Sequence, residues 1–256
     1  MAESREEQLI QSVRWHHRFE ILPGLVTPGS YDPGFLLEKM NLPADLSGRR
    51  ALDLGCSDGF FSLALARRGA EVVSVDYRPK NVNGFGVMEA VTGRSFDYRH
   101  MNLFDVTPDQ LGTFDIVLFL GVLYHLPDMI RGLSVVQSVC SDTMFLETHC
   151  ATDLPNTDSL ARYHKQASLG FDKTNFWSPN PSCLADMLDD CGFEVELLET
   201  WETRCFIRGR AAKSFDRLDK TKIAYGLMQP EDDKRYREAR LAREAKARSG
   251  DPPPAA

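Results

Sequence analysis

Apolar and polar positions along this chain change period repeatedly, and each change marks an element. Leu9, Ile10, Val13 and Phe19 form a broken apolar stripe at helical spacing, so residues 3 to 20 are predicted helical until Pro23-Gly24 stops them. Thr27-Pro28-Gly29 and Asp32-Pro33-Gly34 are turn signals, and a short helix over residues 35 to 40 follows them. The run Ala51-Leu52 then opens a strand, residues 60 to 66 a helix, and Glu71-Val72-Val73-Ser74-Val75 a second strand ending on Asp76. Residues 81 to 91 read as a crossover helix, weakened by Gly84 and Gly86, and residues 95 to 99 as a third strand. The near-continuous apolar run from Phe114 to Leu126 is a fourth strand with a polar, aromatic exit. Residues 129 to 139 fit a helix and residues 143 to 147 a fifth strand. Residues 182 to 191 form a further helix with Gly192 at its end, before two closing strands at 193 to 198 and 203 to 207.

Strands alternating with helices predict an α/β fold: a doubly wound, mostly parallel, seven-stranded sheet that binds ligands at the carboxyl ends of its strands. Three regions are expected. Residues 1–45 are an amino-terminal helix and cap, residues 46–210 the sheet domain, and residues 211–256 a charged helical tail ending in Pro252-Pro253-Pro254. Within the sheet domain, residues 150–181 interrupt the pattern after strand five with a polar and aromatic insertion. A long irregular segment in a compact domain is typically functional, and it reads as a lid over the substrate.

Composition narrows the partners. The 256 residues are 43% hydrophobic and 26% charged, in keeping with one large core in a cytoplasmic globular protein. No apolar run is long enough to span a bilayer, and the acidic start Glu3-Ser4-Arg5-Glu6-Glu7 lacks the form of a secretion signal. A net charge of −7 disfavours a partner held by phosphate contacts alone, although a local basic face is compatible with it. The six cysteines show no Cys-x-x-Cys pair, so neither a metal site nor a disulfide framework is expected, only buried thiols.

The chemistry starts at Asp53-Leu54-Gly55-Cys56-Ser57-Asp58-Gly59, between the first strand and its helix. This turn has neither the Gly-x-Gly-x-x-Gly of a dinucleotide site nor the Gly-Lys-Ser/Thr end of a phosphate loop. A glycine at a strand exit admits close approach of a ligand, and an acid at the tip of the second strand, Asp76, is placed to accept hydrogen bonds from a ribose diol.

The Gly55-x-x-x-Gly59 turn behind Asp53, the acid Asp76 and the fourth strand, in this order and at these distances, resemble the class I S-adenosylmethionine-dependent methyltransferases. That resemblance implies a Rossmann-like methyltransferase fold with S-adenosyl-L-methionine as cofactor, its methionyl part beside the glycine turn and its ribose on Asp76. Trp15-His16-His17-Arg18-Phe19 with Gly24-Leu25-Val26-Thr27-Pro28-Gly29, and Gly121-Val122-Leu123-Tyr124-His125 with Leu146-Glu147-Thr148, look like the group that includes the tRNA wobble-uridine carboxymethyltransferases and shorter relatives. In those tRNA enzymes the resemblance implies a carboxylated cofactor held by the tyrosine of Val-Leu-Tyr-His, a late arginine and a lysine in a Lys-Gly-Pro-Phe block. Tyr124 and Arg204 are present here, but the lysine block is missing and His16-His17 stands near its place, so ordinary S-adenosylmethionine is favoured.

Candidate residues follow. Cofactor contacts are expected from Asp53, Gly55, Cys56, Gly59, Asp76, Tyr77, Leu120 and Tyr124, with adenine between Phe104 and Asp105 or against Asn102. The acceptor is expected among Trp15, Tyr31, Glu147, Tyr163, His164 and Arg204. When the acceptor carries a proton, a base of near-neutral pKa is needed, which points to His125 or His149. Each is also readable as a packed or capping histidine. The expected activity is O-methylation of a small polar acceptor such as a sugar or natural-product hydroxyl. A tRNA wobble-uridine modifier and a cofactor-binding regulatory subunit are the alternatives.

Overall fold

A computed structural model describes residues 3–212; the expected charged tail therefore lies outside the described residues, apart from its first two positions. The chain opens with helix α1 (Arg5–Gln11), capped by Ser4 and Glu7, each of whose side-chain oxygens accepts the other's backbone N–H as a capping box. The helix ends at Gln11 and does not continue to residue 20. The Trp15 indole donates to Ile10 O at 2.8 Å, and the carboxylate of Asp58 takes the backbone N–H groups of His16 and His17 at 2.8 and 2.7 Å. Those amides have no helical partner left to seek. Strands β1 (Glu20–Leu22) and β2 (Leu25–Val26) follow as a hairpin around Pro23-Gly24, and helix α2 (Gly34–Met40) closes the segment.

The sheet domain then alternates β3 (Arg50–Leu54), α3 (Phe60–Arg67), β4 (Glu71–Asp76), α4 (Phe85–Thr92) and β5 (Asp97–His100). A single-turn helix α5 (Pro108–Leu111), unforeseen in the sequence, precedes β6 (Phe114–Leu120), α6 (Met129–Val139) and β7 (Cys140–His149). The lid carries β8 (Ala161–Tyr163) and β9 (Trp177–Pro179), and the chain returns through α7 (Pro181–Asp190), β10 (Phe193–Trp201) and β11 (Arg204–Ala211). The seven-stranded sheet runs β10-β11-β7-β6-β3-β4-β5; the five strands from β7 to β5 are parallel, β11 runs antiparallel to β7, and β10 antiparallel to β11.

Sheet position explains composition. Central β6 is buried on both faces and reads as an apolar run interrupted only by Asp115 near its start, whereas edge strand β5 is mostly exposed and carries Asp97, Arg99 and His100. Successive residues of a strand feed opposite cores. Leu52, Leu54, Val117 and Phe119 pack with Leu133 and Val136 of α6 and Leu184 and Leu188 of α7, while Ala51, Ile116 and Leu118 pack with Leu36 and Met40 of α2 and Phe61 and Leu65 of α3. A third cluster joins Trp15, Phe19 and Ile21 of the amino-terminal segment to Leu63 of α3 and Phe85, Met88 and Val91 of α4.

Helix α4 starts at Phe85, four residues later than the pattern suggested, because Gly84 is where the backbone meets Trp15. A Cβ on Gly84 would lie 2.4 Å from the indole carbons. The lid is more ordered than an irregular insertion, since β8 and β9 pair antiparallel from Ala161↔Pro179 to Tyr163↔Trp177. Asn180 secures both ends of it: its side-chain amide donates to Pro155 O and Asp158 O, and its oxygen caps α7 by accepting from Cys183 N–H. All six cysteines are free thiols; five are buried, and Cys183 is half-buried.

Trp15 closes the third core at 6% exposure. Trp15→Ala is expected to lower stability by about 3 kcal/mol in urea unfolding. An unchanged midpoint would show that the amino-terminal segment is not part of the cooperative fold.

Candidate active site

Strands β3, β4, β6 and β7 end at one edge, and the turns that leave them build the site. Gly55 leaves β3 at φ +79°, with its N–H on Val75 O at 2.8 Å. A Cβ there would sit 2.5 Å from Val122 Cγ2, so this glycine admits the loop leaving β6 against the backbone. Ser57 takes the left-handed conformation at φ +50° and turns its N–H onto Asp76 Oδ2 at 3.0 Å. Gly59, at φ +88°, would drive a Cβ to 2.5 Å from Met88 Cε and 3.0 Å from Phe85, so it serves the packing of α4. Asp53 is buried, accepts from Ser62 Oγ at 2.6 Å and is pushed up to about 6, mainly by burial against that hydrogen bond. Cys56 is buried, and burial raises its thiol far above the reactive range.

Asp58 was missed as a site organiser. It is fully buried; besides the two backbone amides, its Oδ1 lies 2.5 Å from His17 Nδ1. Burial alone would raise its carboxyl, but the His17 hydrogen bond and charge, with the amides, hold it below the ordinary value. His16, beside it, is solvent-exposed, and its pKa is lowered by burial of its ring surroundings and by His17.

Asp76 ends β4 at 2% exposure. Oδ1 accepts Arg78 N–H at 2.9 Å and Nε–H at 3.1 Å, and Oδ2 accepts Arg78 Nη2 at 3.2 Å besides Ser57. Arg78 also lies 5.1 Å over the ring of Tyr77, which is 69% exposed. The loop after β5 adjoins this tip through Met101 N–H to Asp76 O at 3.0 Å. There Asn102 caps its own turn by accepting from Phe104 N–H at 2.9 Å, Phe104 lies under the Arg131 guanidinium at 4.3 Å, and Asp105 is exposed. Asn102 is therefore engaged as a cap.

On the other side, β6 ends at half-buried Leu120, and Gly121 N–H binds Glu147 O at 2.9 Å. Glu147 and Arg204, both put forward as acceptor contacts, pair with each other: Arg204 Nε donates to Oε1 and Nη2 to Oε2 at 2.6 Å. The guanidinium also covers the Tyr124 ring at 4.9 Å. Nearby Tyr31 is pushed up to about 12 by burial and by the Glu147 charge. Trp15 is a buried anchor, and exposed Tyr163 sets its ring edge on Trp177 at 5.0 Å; neither joins this group.

Tyr124 is flanked by His125 at 4.1 Å and His149 at 6.2 Å between ring centroids. The lid holds both histidines by their Nδ1 atoms. Nδ1 of His125 is 3.1 Å from Thr174 O and 2.9 Å from Thr174 Oγ1, whose proton goes to Asp172 at 2.7 Å. A carbonyl only accepts, so neutral His125 carries its proton on Nδ1 and leaves Nε2 bare. Burial lowers its pKa below the ordinary 6.5, opposed by the Thr174 hydrogen bond and Asp172. His149 Nδ1 lies 2.6 Å from Ser178 Oγ, which also lies 2.6 Å from His164 Nε2. Burial, then Arg204 and His164, lower His149 to about 4. Ser178 has no sequence signal that could have found it. Among the described residues, no cluster fit to hold a metal ion occurs and no helix is long and apolar enough to cross a membrane.

Comparison with known proteins agrees with this geometry. A family model described as a methyltransferase domain matches residues 29–198. A ubiquinone biosynthesis O-methyltransferase of Xanthomonas euvesicatoria pv. vesicatoria is 28% identical over 188 residues, 70% of this chain and 79% of the relative. One from Xanthomonas campestris pv. campestris is 34% identical over 105 residues, 40% of this chain and 44% of the relative. The amino-terminal domain of EvdMO1, crystallised with SAH bound, superposes with a TM-score of 0.61 at 22% identity, over 80% of this chain and 95% of that one.

Removing the buried carboxylate of a pair leaves its partners unsatisfied, so Asp58→Ala is expected to cost about 3 kcal/mol or more. Because Asp58 is held below its unfolded value of 3.8, its contribution is complete above that pH and disappears as pH falls through the folded value. Hydrogen exchange of residues 15 to 31 should accelerate in Asp58→Ala. Exchange unchanged from wild type would remove Asp58 as the organiser.

Proposed function

The chain belongs to the methyltransferase-domain family, and from that premise we propose that it transfers a methyl group from ordinary S-adenosylmethionine to a hydroxyl of a small, neutral acceptor, with His125 as the base. It is an S-adenosylmethionine-dependent methyltransferase; acceptor and residue roles are the proposal. The observation that carries it is the contact of His125 Nδ1 with Thr174 O, which fixes the tautomer whose Nε2 can take a proton. The O-methyltransferase name of the 28% identical relative supports an oxygen acceptor.

The residues fit the cofactor. Asp76 offers a carboxylate at a strand tip to a ribose diol, and Arg78, one-third exposed, can yield its two guanidinium bonds to those hydroxyls. Gly55 and Ser57 bring backbone to the methionyl side, with Asp53 and Cys56 beneath it, and Leu120, Phe104 and Tyr77 supply apolar surface for the nucleoside. When bound, the cofactor supplies a methyl group on a sulfonium that is already a good leaving group. The protein's part is alignment and removal of the acceptor's proton at His125 Nε2.

The charges disfavour a carboxylated cofactor and a charged acceptor. Arg204 is spent on Glu147 and His17 on Asp58, and His16 is depressed. A carboxylate would find no free cation among these groups. A tRNA wobble-uridine substrate is the outcome that would displace the proposal.

Calorimetry should detect S-adenosylhomocysteine binding that Asp76→Ala weakens by roughly tenfold or more, the scale of hydrogen bonds to a charged group. His125→Ala should cut methyl transfer by about 10²-fold with cofactor affinity retained. In wild type the acid limb of the rate should lie below pH 6.5, since the rate is lost only when pH drops through the depressed pKa of His125. Release of S-adenosylhomocysteine only when tRNA is added would favour the tRNA reading, and full activity in His125→Ala would discard this base.

A further inference from the structure

The base uses His125, which leaves the second histidine of the edge and its buried partners without a role. His149, Ser178 and His164 form a closed group: Ser178 is fully buried, His164 is 9% exposed, and the hydroxyl stands 2.6 Å from one nitrogen of each ring. A hydroxyl has one proton. If Ser178 donates to His149 Nδ1, it accepts from His164 Nε2–H, and His149 then carries its own proton on Nε2. If it donates to His164 Nε2, it accepts from His149 Nδ1–H, and Nε2 of His149 is bare. Any other combination leaves a buried donor or acceptor unsatisfied, at a cost of about 1–3 kcal/mol. Both rings are thus Nε2–H or both are Nδ1–H.

We propose that His149, Ser178 and His164 are a tautomer-coupled reader of the acceptor, in which His149 Nε2 donates to a carbonyl or ether oxygen beside the reacting hydroxyl, or accepts from a second hydroxyl there. His149 qualifies because it shares the Tyr124 ring with the base and because its Nε2 has no protein partner among the described residues. It reads without charge. The groups facing it are Arg204 from β11, His164 and Arg162 from the β8 segment, the Tyr124 ring and Asp153; burial, Arg204, His164 and Arg162 lower its pKa, Asp153 opposes them, and it stays neutral near pH 7. Switching moves one proton across each hydrogen bond and exchanges one with solvent at each outer nitrogen, so no net charge is gained. The acceptor class is therefore a neutral molecule with two neighbouring oxygens, and Ser178 and His164 are positioning residues. This inference rests on the proposed role of His125 as the acceptor's base.

The test is nitrogen-detected NMR of the histidine rings in the full chain with S-adenosylhomocysteine bound. Wild type should show equal Nδ1–H fractions at His149 and His164, and Ser178→Ala should make them unequal while Ser178→Thr, which keeps the hydroxyl, preserves the match. Hydroxyacetone, with a carbonyl beside its hydroxyl, should drive both rings toward Nε2–H; propylene glycol, with a second hydroxyl, should not. Unequal fractions in wild type, fractions untouched by Ser178→Ala, or no response to either probe would overturn the reader. Coupled tautomers that ignore S-adenosylhomocysteine would instead place the cofactor elsewhere and overturn the parent reading.

Discussion

A carboxylate taken out of water must be matched by donors, and at this sheet edge that requirement decides what the site can be. Asp58 is the deepest case. Fully buried in the glycine turn, it is satisfied only by two backbone amides and the ring of His17, all from the amino-terminal segment. That one group breaks the first helix, lays residues 15 to 19 over α3 and α4, and delivers Tyr31 toward Tyr124, Glu147 and Arg204. The cap is consequently part of the site and not an appendage to it.

The same rule operates at Asp76 with Arg78 and at Glu147 with Arg204. Each acid has consumed a cation. What remains available are imidazoles that burial keeps neutral, plus hydroxyls and apolar surface. Neutral imidazoles suit a donor whose sulfonium already carries the reaction's positive charge, because a cation placed beside it would oppose binding.

Local pattern was enough wherever an element's environment is fixed by its own residues. Helix α6 runs Met129–Val139 as its stripe suggests, with Asp128 accepting from Arg131 N–H as its cap, and β6 reads as buried because both of its faces are. Pattern failed where a distant partner decides. The stripe Leu9, Ile10, Val13, Phe19 continues past Gln11, but Asp58, 41 residues beyond His17, claims the amides. At Gly59 only tertiary structure shows that Met88 and Phe85 also need the missing side chain. Strands β8 and β9 are three residues each, and β8 is exposed throughout, so no alternation exists to be read. The acid at the second strand tip and the two histidines were legible because strand ends are where this topology places chemistry. Their partners Thr174 and Ser178 were not, since a serine or threonine in a polar loop carries no period.

The lid consequently has a different meaning from a cover. Thr174 orients His125, Phe176 N–H binds Tyr124 O at 2.9 Å, Trp177 donates to Pro127 O at 3.1 Å, and Ser178 meets His149. Nearly every residue from 174 to 178 thus grips the two strand exits that hold the histidines. If this segment moved away, both rings would lose the bonds that set their tautomers, and a base with an unfixed tautomer offers Nε2 only part of the time. On the proposed reading closure and competence are one event: the backbone that would shield the acceptor from water is the backbone that leaves His125 ready to take its proton.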